Sequence, residues 1–205
     1  MYLNVSVPMT ELTIFRHGET DWNAEHRFQG HMDIPLNNKG REQAIALGNL
    51  LCERRIEAIL SSDLSRAMET AERVAQICGG IPVVTTTLLR EAFLGDAQGK
   101  TLAEIEVAFG PILWKRWRSN DVTDADVSYP GGESGNQVMT RSFEAMEKFI
   151  VQNPQYRKIG ISTHGGVIRR VMQRILPSGS HPVAIPNTVA YRLEYESGQW
   201  YSKDL

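Results

Sequence analysis

The chain has 205 residues, of which 41% are hydrophobic, enough to bury one sizeable core, and we predict a single domain over residues 1–205 with a loose extension over residues 1–10. Its 22 basic and 24 acidic residues leave a net charge of -2, which disfavours a nucleic-acid-binding protein and a protein held on an anionic membrane. Neither a signal peptide nor a run of apolar residues long enough to span a bilayer is recognised. Cys52 and Cys78 lack the spacing of a disulfide framework or a zinc site, so we expect a cytoplasmic protein without a metal.

The first half of the chain alternates strand-like and helix-like segments. A strand is predicted over Glu11 to Phe15, and a helix with an apolar face is predicted from near Asn38. A second buried strand, Ala58 to Ser62, precedes another helix, for which Asp63 is the expected N-cap.

The second half continues the alternation. The segment "PVVTTTLL" predicts a third strand, and the capping box formed by Thr101 and Glu104 opens a helix, which a further turn or helix follows. A long amphipathic helix then precedes a strand over Lys158 to Thr163, which runs into a glycine pair and another helix. The last segment predicts a hairpin that turns at Ser197-Gly198.

This alternation predicts an α/β fold, a three-layer α/β/α sandwich with a mostly parallel central sheet. Ligands bind such sheets at the carboxyl ends of the strands. Three unusual stretches follow predicted strands, namely Arg16-His17, Ser62 to Arg66, and His164-Gly165-Gly166. We therefore expect these three stretches to meet in one site.

The side chains of these stretches need an anion between them. Arg16 and Arg66 supply guanidiniums suited to phosphate oxygens, and helix N-termini that follow strands add free N–H groups, so a phosphoryl group fits best. Neighbouring cations favour the neutral form of His17 and His164, which makes a histidine a candidate nucleophile toward phosphorus. The adjacent glycines leave room for the backbone to approach the phosphoryl oxygens.

Breaking an alkyl P–O bond also needs a proton donor on the side opposite the nucleophile. Glu91, in the loop "LLREAFLGDAQGKT", is the first candidate for this donor. Asp96 and Glu19 are its rivals.

Several of these residues also have a purely structural interpretation. His164 could cap a helix, and Arg66 could pair with Glu69 on its own helix face. For His26 and His31, in a polar loop, we expect a place on the surface rather than a role as metal ligands.

The segment from Trp114 to Asn120, "WKRWRSN", mixes aromatic and basic side chains. An amphipathic turn that covers the core is the simpler interpretation. The alternative is a rim over the pocket that contacts the leaving group, in which case Trp114→Ala or Arg118→Ala changes KM differently for different substrates. His181 is expected to be structural or exposed.

Six motifs occur in order along the chain: "RHGETDWN", "QGHMDIPLNNKGREQA", "SSDLSRAMETA", "LREAFLGDAQGKT", "PGGES" and "STHGGVIR". Together they resemble the histidine phosphatase superfamily, in its phosphoglycerate-mutase-like branch. The resemblance extends from about Leu12 to Tyr195, which is nearly the whole chain. The short motif around Arg16 and His17 alone is only suggestive, but the ordered set is specific.

The resemblance implies a role for each of nine residues. His17 would be the phosphorylated nucleophile and Glu91 the proton donor, with phosphoryl oxygens held by Arg16, Arg66 and His164. The phosphate pocket would be lined by Asn23, Gln29, Gly30 and Gly165. The resemblance implies no metal and no cofactor, and water would hydrolyse the phosphohistidine with the glutamate as base.

The resemblance favours a phosphomonoester hydrolase that acts on a small phosphorylated metabolite. "LREAFLGD" is similar to broad-specificity phosphatases and α-ribazole-phosphate phosphatases, and the Arg-His that phosphoglycerate mutases carry after the acid is absent after Glu91. A mutase-type phosphoryl transfer and a non-catalytic phosphate-binding protein are the alternatives. Ala97-Gln98 replaces the Trp-Glu usual in those phosphatases, which predicts a smaller or more open pocket wall. Besides the substrate, the partner to consider is a second copy of the chain in a homodimer.

Overall fold

A six-stranded sheet runs through the centre of the protein. In this computed structural model, which describes residues 9–119, 121–177, 180 and 183–203, the strands are β1 (Thr10–Arg16), β2 (Ala58–Ser62), β3 (Val83–Thr86), β4 (Lys158–Thr163), β5 (Ala190–Glu196) and β6 (Gln199–Ser202). Their order across the sheet is β3-β2-β4-β1-β5-β6. The four strands from β3 to β1 are parallel to one another, whereas β5 pairs antiparallel with both β1 and β6. The predicted mostly parallel sheet is confirmed.

The helices of the described ranges are α1 (Asp21–Ala24), α2 (Asn38–Cys52), α3 (Ser65–Ile77), α4 (Leu102–Phe109), α5 (Pro111–Arg118), α6 (Gly135–Gln152) and α7 (Gly165–Ile175). The predicted capping box is present at the start of α4, where Thr101 and Glu104 each accept a backbone N–H of the other. Within the ranges that the structure describes, no helix has the length and apolar character needed to cross a membrane.

The sheet carries a separate apolar cluster on each face. Because side chains of a strand alternate between faces, Ile14 and Leu60 pack in the larger cluster with residues of α6 and α7. Their neighbours Phe15 and Ile59 pack in the other cluster, against α2 and α3. Helices therefore cover both faces of the sheet, as the three-layer α/β/α prediction requires.

The register of the parallel strands brings three strand ends together. Arg16, the last residue of β1, lies opposite Thr163, the last residue of β4. On the other side of β4, Ser61 of β2 lies opposite Ser162. The residues that follow these strands therefore emerge at one edge of the sheet, where ligands of such folds bind.

The prediction that Asp63 caps α3 is wrong. The residue at the N-cap position is Leu64, which makes no capping hydrogen bond through its side chain. The carboxylate of Asp63 instead binds Arg90, whose Nε and Nη2 lie 2.7 and 2.5 Å from its two oxygens. The α3 terminus is capped from elsewhere in the chain, because Asp33 Oδ1 accepts the backbone N–H of Ser65 at 2.8 Å.

The third strand is shorter than predicted, and the final hairpin is as predicted. β3 ends at Thr86, whose hydroxyl accepts the N–H of Leu88 and so begins a 3₁₀ turn instead of a longer strand. The hairpin turns at Ser197 and Gly198, with φ values of 50° and 83°. The predicted extension, except for residues 9 and 10, lies outside the described residues, as do Asn120 and His181.

Candidate active site

A cavity of about 750 Å³ opens at the edge of the sheet where β1 and β4 end. Eight of the nine predicted site residues line it, namely Arg16, His17, Asn23, Gln29, Gly30, Arg66, Glu91 and Gly165. The ninth, His164, lies directly behind its wall, with its ring centre 5.1 Å from that of His17. The structure therefore brings the predicted set together.

His17 is fixed with one ring nitrogen available. Its Nδ1 lies 2.6 Å from the carbonyl oxygen of Gly18, and because a carbonyl only accepts, Nδ1 carries the proton and Nε2 keeps its lone pair. Burial holds the pKa of His17 well below its usual range, and the nearby Arg66 and Arg16 lower it further. The imidazole is therefore neutral and able to act as a nucleophile.

His164 is also buried. It occupies the N-cap position of α7, as the capping alternative expects, but its side chain makes no capping hydrogen bond. Arg66 Nε donates to its Nδ1 at 3.3 Å, so its proton lies on Nε2, 2.9 Å from the hydroxyl of Ser62. Burial, followed by the charge of Arg66, holds the pKa of His164 well below its usual range. Its ring is thus held in place by groups at the ends of β2 and α3.

Arg66 is fully buried and does not pair with Glu69, so the helix-surface interpretation of it is wrong. Its guanidinium donates to the carbonyl oxygens of Met32 and Gly30, at 2.8 Å each, and Glu69 binds Arg41 instead. Burial lowers the pKa of Arg66 to about 10, so the side chain stays charged at neutral pH. A buried cation without a carboxylate partner is costly, unless an anion enters the cavity.

Arg16 presents a second guanidinium, and one of its nitrogens is unsatisfied. Its Nη1 donates to the carbonyl oxygen of Ile185 at 2.7 Å, whereas its buried Nε has no hydrogen-bond partner among the described residues. Leaving a buried donor unpaired costs about 1–3 kcal/mol. Together with Arg66, this side chain makes the floor of the cavity a site for a phosphate-like anion.

Glu91 is the acid that the geometry places best. Its Oε1 accepts the N–H of Ala92 at 2.8 Å and its Oε2 accepts the N–H of Gly166 at 3.0 Å, which fixes the carboxyl group at the cavity wall. Asp96 is exposed and does not line the cavity. Glu19 does line it, but the hydrogen bond with Lys39 lowers the pKa of Glu19 and holds it as a carboxylate.

Comparison with known proteins identifies this arrangement. The family model of the histidine phosphatase superfamily, branch 1, matches residues 12–205. The chain belongs to this superfamily.

Individual relatives carry both phosphatase and mutase names. The chain is 40% identical to phosphoglycerate mutase-like protein 4 of Arabidopsis thaliana, over 95% of this chain and 84% of the relative. It is 37% identical to the metal-independent phosphoserine phosphatase of Arabidopsis thaliana, over 87% of this chain and 74% of the relative. The structure of mycobacterial glucosyl-3-phosphoglycerate phosphatase with VO3 superimposes with a TM-score of 0.84 at 32% identity, covering 96% of this chain and 98% of that one.

In this histidine phosphatase, the loop that carries Glu91 is held by two residues that the sequence did not single out. Arg141 donates to the carbonyl oxygens of Leu88 and Arg90, each at 2.7 Å, and to that of Glu91 at 3.0 Å. Arg141 also binds both carboxylate oxygens of Glu133, at 2.8 and 2.9 Å. Glu133 in turn accepts the N–H of residue 93, so the acid loop is tied down on both sides of Glu91.

His26 is exposed, as expected, whereas His31 is half-buried and only partly at the surface. Its Nε2 lies 2.8 Å from the carbonyl oxygen of Glu91, and its ring packs against Phe93 with 5.2 Å between ring centres. His26 lines the mouth of the cavity. Within the described residues, no group of three or more histidine, cysteine, aspartate or glutamate side chains is arranged to hold a metal ion.

Ala97 and Gln98, which replace the Trp-Glu of the relatives, do not line the cavity. The predicted smaller or more open pocket wall at this pair is therefore wrong. Ala97 is fully buried in the core. Gln98 Oε1 accepts the N–H of His31 at 2.7 Å and lies against Gly30, whose φ of 53° suits glycine. Gln98 thus supports the loop that contains Gly30, whose carbonyl oxygen accepts a hydrogen bond from Arg66.

The aromatic segment both covers the core and lines the cavity. Trp117 is buried, whereas Trp114 meets Phe28 edge to face with 4.8 Å between ring centres. Arg118 lies over the Trp114 ring, 4.8 Å from its centre. In α5, this segment therefore covers the core through Trp117 and lines the cavity through Trp114, Trp117 and Arg118, and its contact with a leaving group stays a prediction.

Two further residues of the cavity were not predicted. Asn187 donates to the carbonyl oxygen of His17 at 3.1 Å and to Asn23 Oδ1 at 3.2 Å, which links the nucleophile's backbone to the pocket wall. Arg169 lines the cavity from α7. Its spacing of three residues from Gly166 was a signal in the sequence, because residues three apart share a helix face.

Proposed function

We propose that this histidine phosphatase superfamily member hydrolyses small phosphomonoesters through a phosphohistidine at His17. The main support for this proposal is the state of the His17 imidazole, which is buried and neutral. Its Nδ1 is hydrogen-bonded to the Gly18 carbonyl oxygen, and its Nε2 is free beside the guanidiniums of Arg16 and Arg66. A neutral ring nitrogen of this kind is a nucleophile at physiological pH. The two relatives with phosphatase in their names support the same class of reaction.

In the first step, Arg16 and Arg66 bind oxygens of the phosphoryl group and neutralise charge that develops on them. Nε2 of His17 forms a bond to phosphorus while the bond from phosphorus to the ester oxygen breaks. Glu91, as the carboxylic acid, gives its proton to that oxygen, so the alcohol leaves neutral. The products of this step are phosphohistidine, the free alcohol and the carboxylate of Glu91.

In the second step, water attacks the phosphorus atom of the phosphohistidine, and Glu91 accepts a proton from it. The P–N bond breaks, its electron pair returns to Nε2 of His17, and inorganic phosphate is released. The hydrogen bond from Nδ1 to Gly18 keeps the ring oriented through both steps. The cycle needs no metal, because the guanidiniums supply the positive charge.

Phosphate release in the presence of EDTA tests this function. The panel contains phenyl phosphate, 3-phosphoglycerate with and without 2,3-bisphosphoglycerate, α-ribazole phosphate, sugar phosphates and nucleotides. We expect phosphate release from one or more of them, and a loss of roughly a thousandfold or more in His17→Asn. Isomerisation of phosphoglycerate without release would identify a mutase, and phosphate binding without turnover would identify a non-catalytic binding protein.

We also place the protein in the cytoplasm. Supporting this, the chain has two cysteines, Cys52 and Cys78, without the spacing of a disulfide framework. Fractionation of cells that express the full chain tests the placement, and recovery in a membrane or exported fraction would contradict it.

A further inference from the structure

The outer part of the cavity contains a cation that the transfer of the phosphoryl group does not use. Gly165, Gly166 and Arg169 share one face of α7, and all three line the cavity. Gly166 binds Glu91 at the inner end of this face. Arg169, one turn farther along the helix than Gly166, lines the same cavity.

Arg169 has no hydrogen bond or ion pair with any described residue, although it is half-buried. The acidic side chains that line the cavity in the described part of the chain are Glu19, bound to Lys39, and Glu91, bound to backbone N–H groups. Burial, followed by the nearby charges of Arg118 and Arg170, lowers the pKa of Arg169 to about 10, although the charge of Glu91 opposes this shift, so Arg169 remains charged at neutral pH. A half-buried charge without a partner suits a ligand anion.

The phosphoryl group does not account for this charge. A phosphomonoester dianion is matched by the guanidiniums of Arg16 and Arg66, since His17 and His164 are neutral. With Glu91 protonated, as the first step of the proposed reaction requires, the charge of Arg169 is not balanced by the phosphoryl group. A carboxylate carries one negative charge and fits the fork of a guanidinium, whereas a second phosphate dianion would be only half neutralised.

The wall near this cation is largely apolar. Phe28 and Trp114 pack edge to face there, and the exposed Arg118 lies over Trp114. Such a wall excludes water from one side of a bound group, which strengthens an ion pair formed beside it. The same wall offers a surface for the carbon skeleton of a leaving group.

We propose that Arg169 binds a carboxylate on the leaving group, so that the preferred substrates are phosphomonoesters of carboxylate-bearing alcohols. This inference rests on the proposed phosphatase function and adds the chemical class of the leaving group. Arg118, at the mouth of the cavity, adds positive charge that attracts the same carboxylate.

Two matched pairs of esters test the inference. In the first pair, 3-phosphoglycerate has a carboxylate where glycerol 3-phosphate has a hydroxymethyl group. In the second pair, 4-carboxyphenyl phosphate has a carboxylate where phenyl phosphate has a hydrogen. The measured quantity is kcat/KM for the carboxylate member divided by kcat/KM for the neutral member. A general loss of activity cancels in this ratio, so a variant that merely lowers turnover does not change it.

For the wild-type protein we expect a ratio of about ten or more in at least one pair, because a charge-assisted hydrogen bond contributes enough free energy for a preference of this size. Arg169→Gln should bring that ratio close to one, and Arg169→Lys, which keeps the charge but loses the fork, should give an intermediate value. Lys115→Gln is the control, because it removes an exposed positive charge from α5 outside the cavity and should keep the wild-type ratio.

The inference is overturned if neither pair favours the carboxylate member in the wild-type protein, or if the preference survives in Arg169→Gln. These outcomes leave the phosphatase function standing, because esters are still hydrolysed. If the wild-type protein hydrolyses none of the four esters, the proposed function fails and the leaving-group assignment fails with it.

Discussion

The backbone N–H of Gly166 donates to Oε2 of Glu91 across 3.0 Å, and this contact ties the first turn of α7 to the carboxyl group that faces the cavity. A Cβ on Gly166 would lie 2.3 Å from Oε1 of the same carboxyl group. The glycine therefore leaves the space that the acid occupies.

Gly166→Ala should displace the carboxyl group and lower kcat for alkyl phosphates on the order of 10- to 100-fold. The displaced atoms are the end of a flexible side chain, so the free energy of unfolding should change little. Gly165→Ala is the matched comparison, because its Cβ would be 3.6 Å from the nearest atom, Arg16 Nε, and its loss of kcat should be smaller. Equal losses in the two variants would show that the space beside Glu91 is not what matters.

Glu91→Gln should slow esters with poor leaving groups by roughly 100-fold or more, because no proton reaches the departing alkoxide. An aryl phosphate, whose phenolate leaves without a proton, should lose much less in the phosphoryl-transfer step. Single-turnover release of the alcohol from glycerol 3-phosphate and from 4-nitrophenyl phosphate compares the two. Losses of the same size on both esters would assign the proton donor to another group.

Arg141→Gln should release the acid loop, because the three carbonyl oxygens and the Glu133 carboxylate lose their common donor. We expect kcat to fall by roughly tenfold for alkyl phosphates and less for aryl phosphates, since Arg141 acts by positioning Glu91. Arg73→Gln is the control, because Arg73 is a partly exposed cation on α3, 3.8 Å from Glu69 and outside the cavity. A loss that is equal for both ester classes would indicate a general structural role for Arg141.

The buried histidines should make the protein less stable in mild acid. The folded state holds His17 and His164 neutral, with pKa values well below the usual range, whereas in the unfolded chain their pKa values lie near about 6.5. The unfolded state therefore binds more protons as the pH falls below that value, and the free energy of unfolding falls with it.

The expected loss is about 1 kcal/mol for each of the two imidazoles between about pH 7 and about pH 5.5. Urea denaturation at both pH values measures it, and His164→Asn should remove about half of the pH dependence. A free energy of unfolding that is constant over this range would show that the two histidines bind protons equally in the folded and unfolded states, which contradicts their lowered pKa values.

The fold and the main site residues could be predicted because their signals are local. Strand ends carrying Arg16-His17 and His164-Gly165, and a capping box at Thr101, are read from neighbouring residues alone. Parallel strands then bring such ends to one edge without further information. The contacts that the sequence did not reveal join distant parts of the chain.

Asp63 illustrates the difference. Its position before a helix is typical of an N-cap, but Arg90, 27 residues later, takes its carboxylate, and Asp33 caps the helix instead. Arg141 holds the acid loop through backbone carbonyl oxygens, which no side-chain pattern records. His31 lies in a polar loop that folds back onto Glu91. Its polar neighbours in the sequence therefore predicted a more exposed side chain than the structure has.

Trapping the phosphorylated protein tests whether the phosphoryl group passes through His17. Glu91→Gln protein mixed with 4-nitrophenyl [³²P]phosphate should accumulate the intermediate, because the aryl group leaves without an acid while water lacks its base. After an alkaline quench and digestion, we expect label on the peptide that contains His17, and no label in the double variant that also carries His17→Asn. Label on another residue, or continued hydrolysis of this ester by His17→Asn protein, would show that His17 is not the nucleophile.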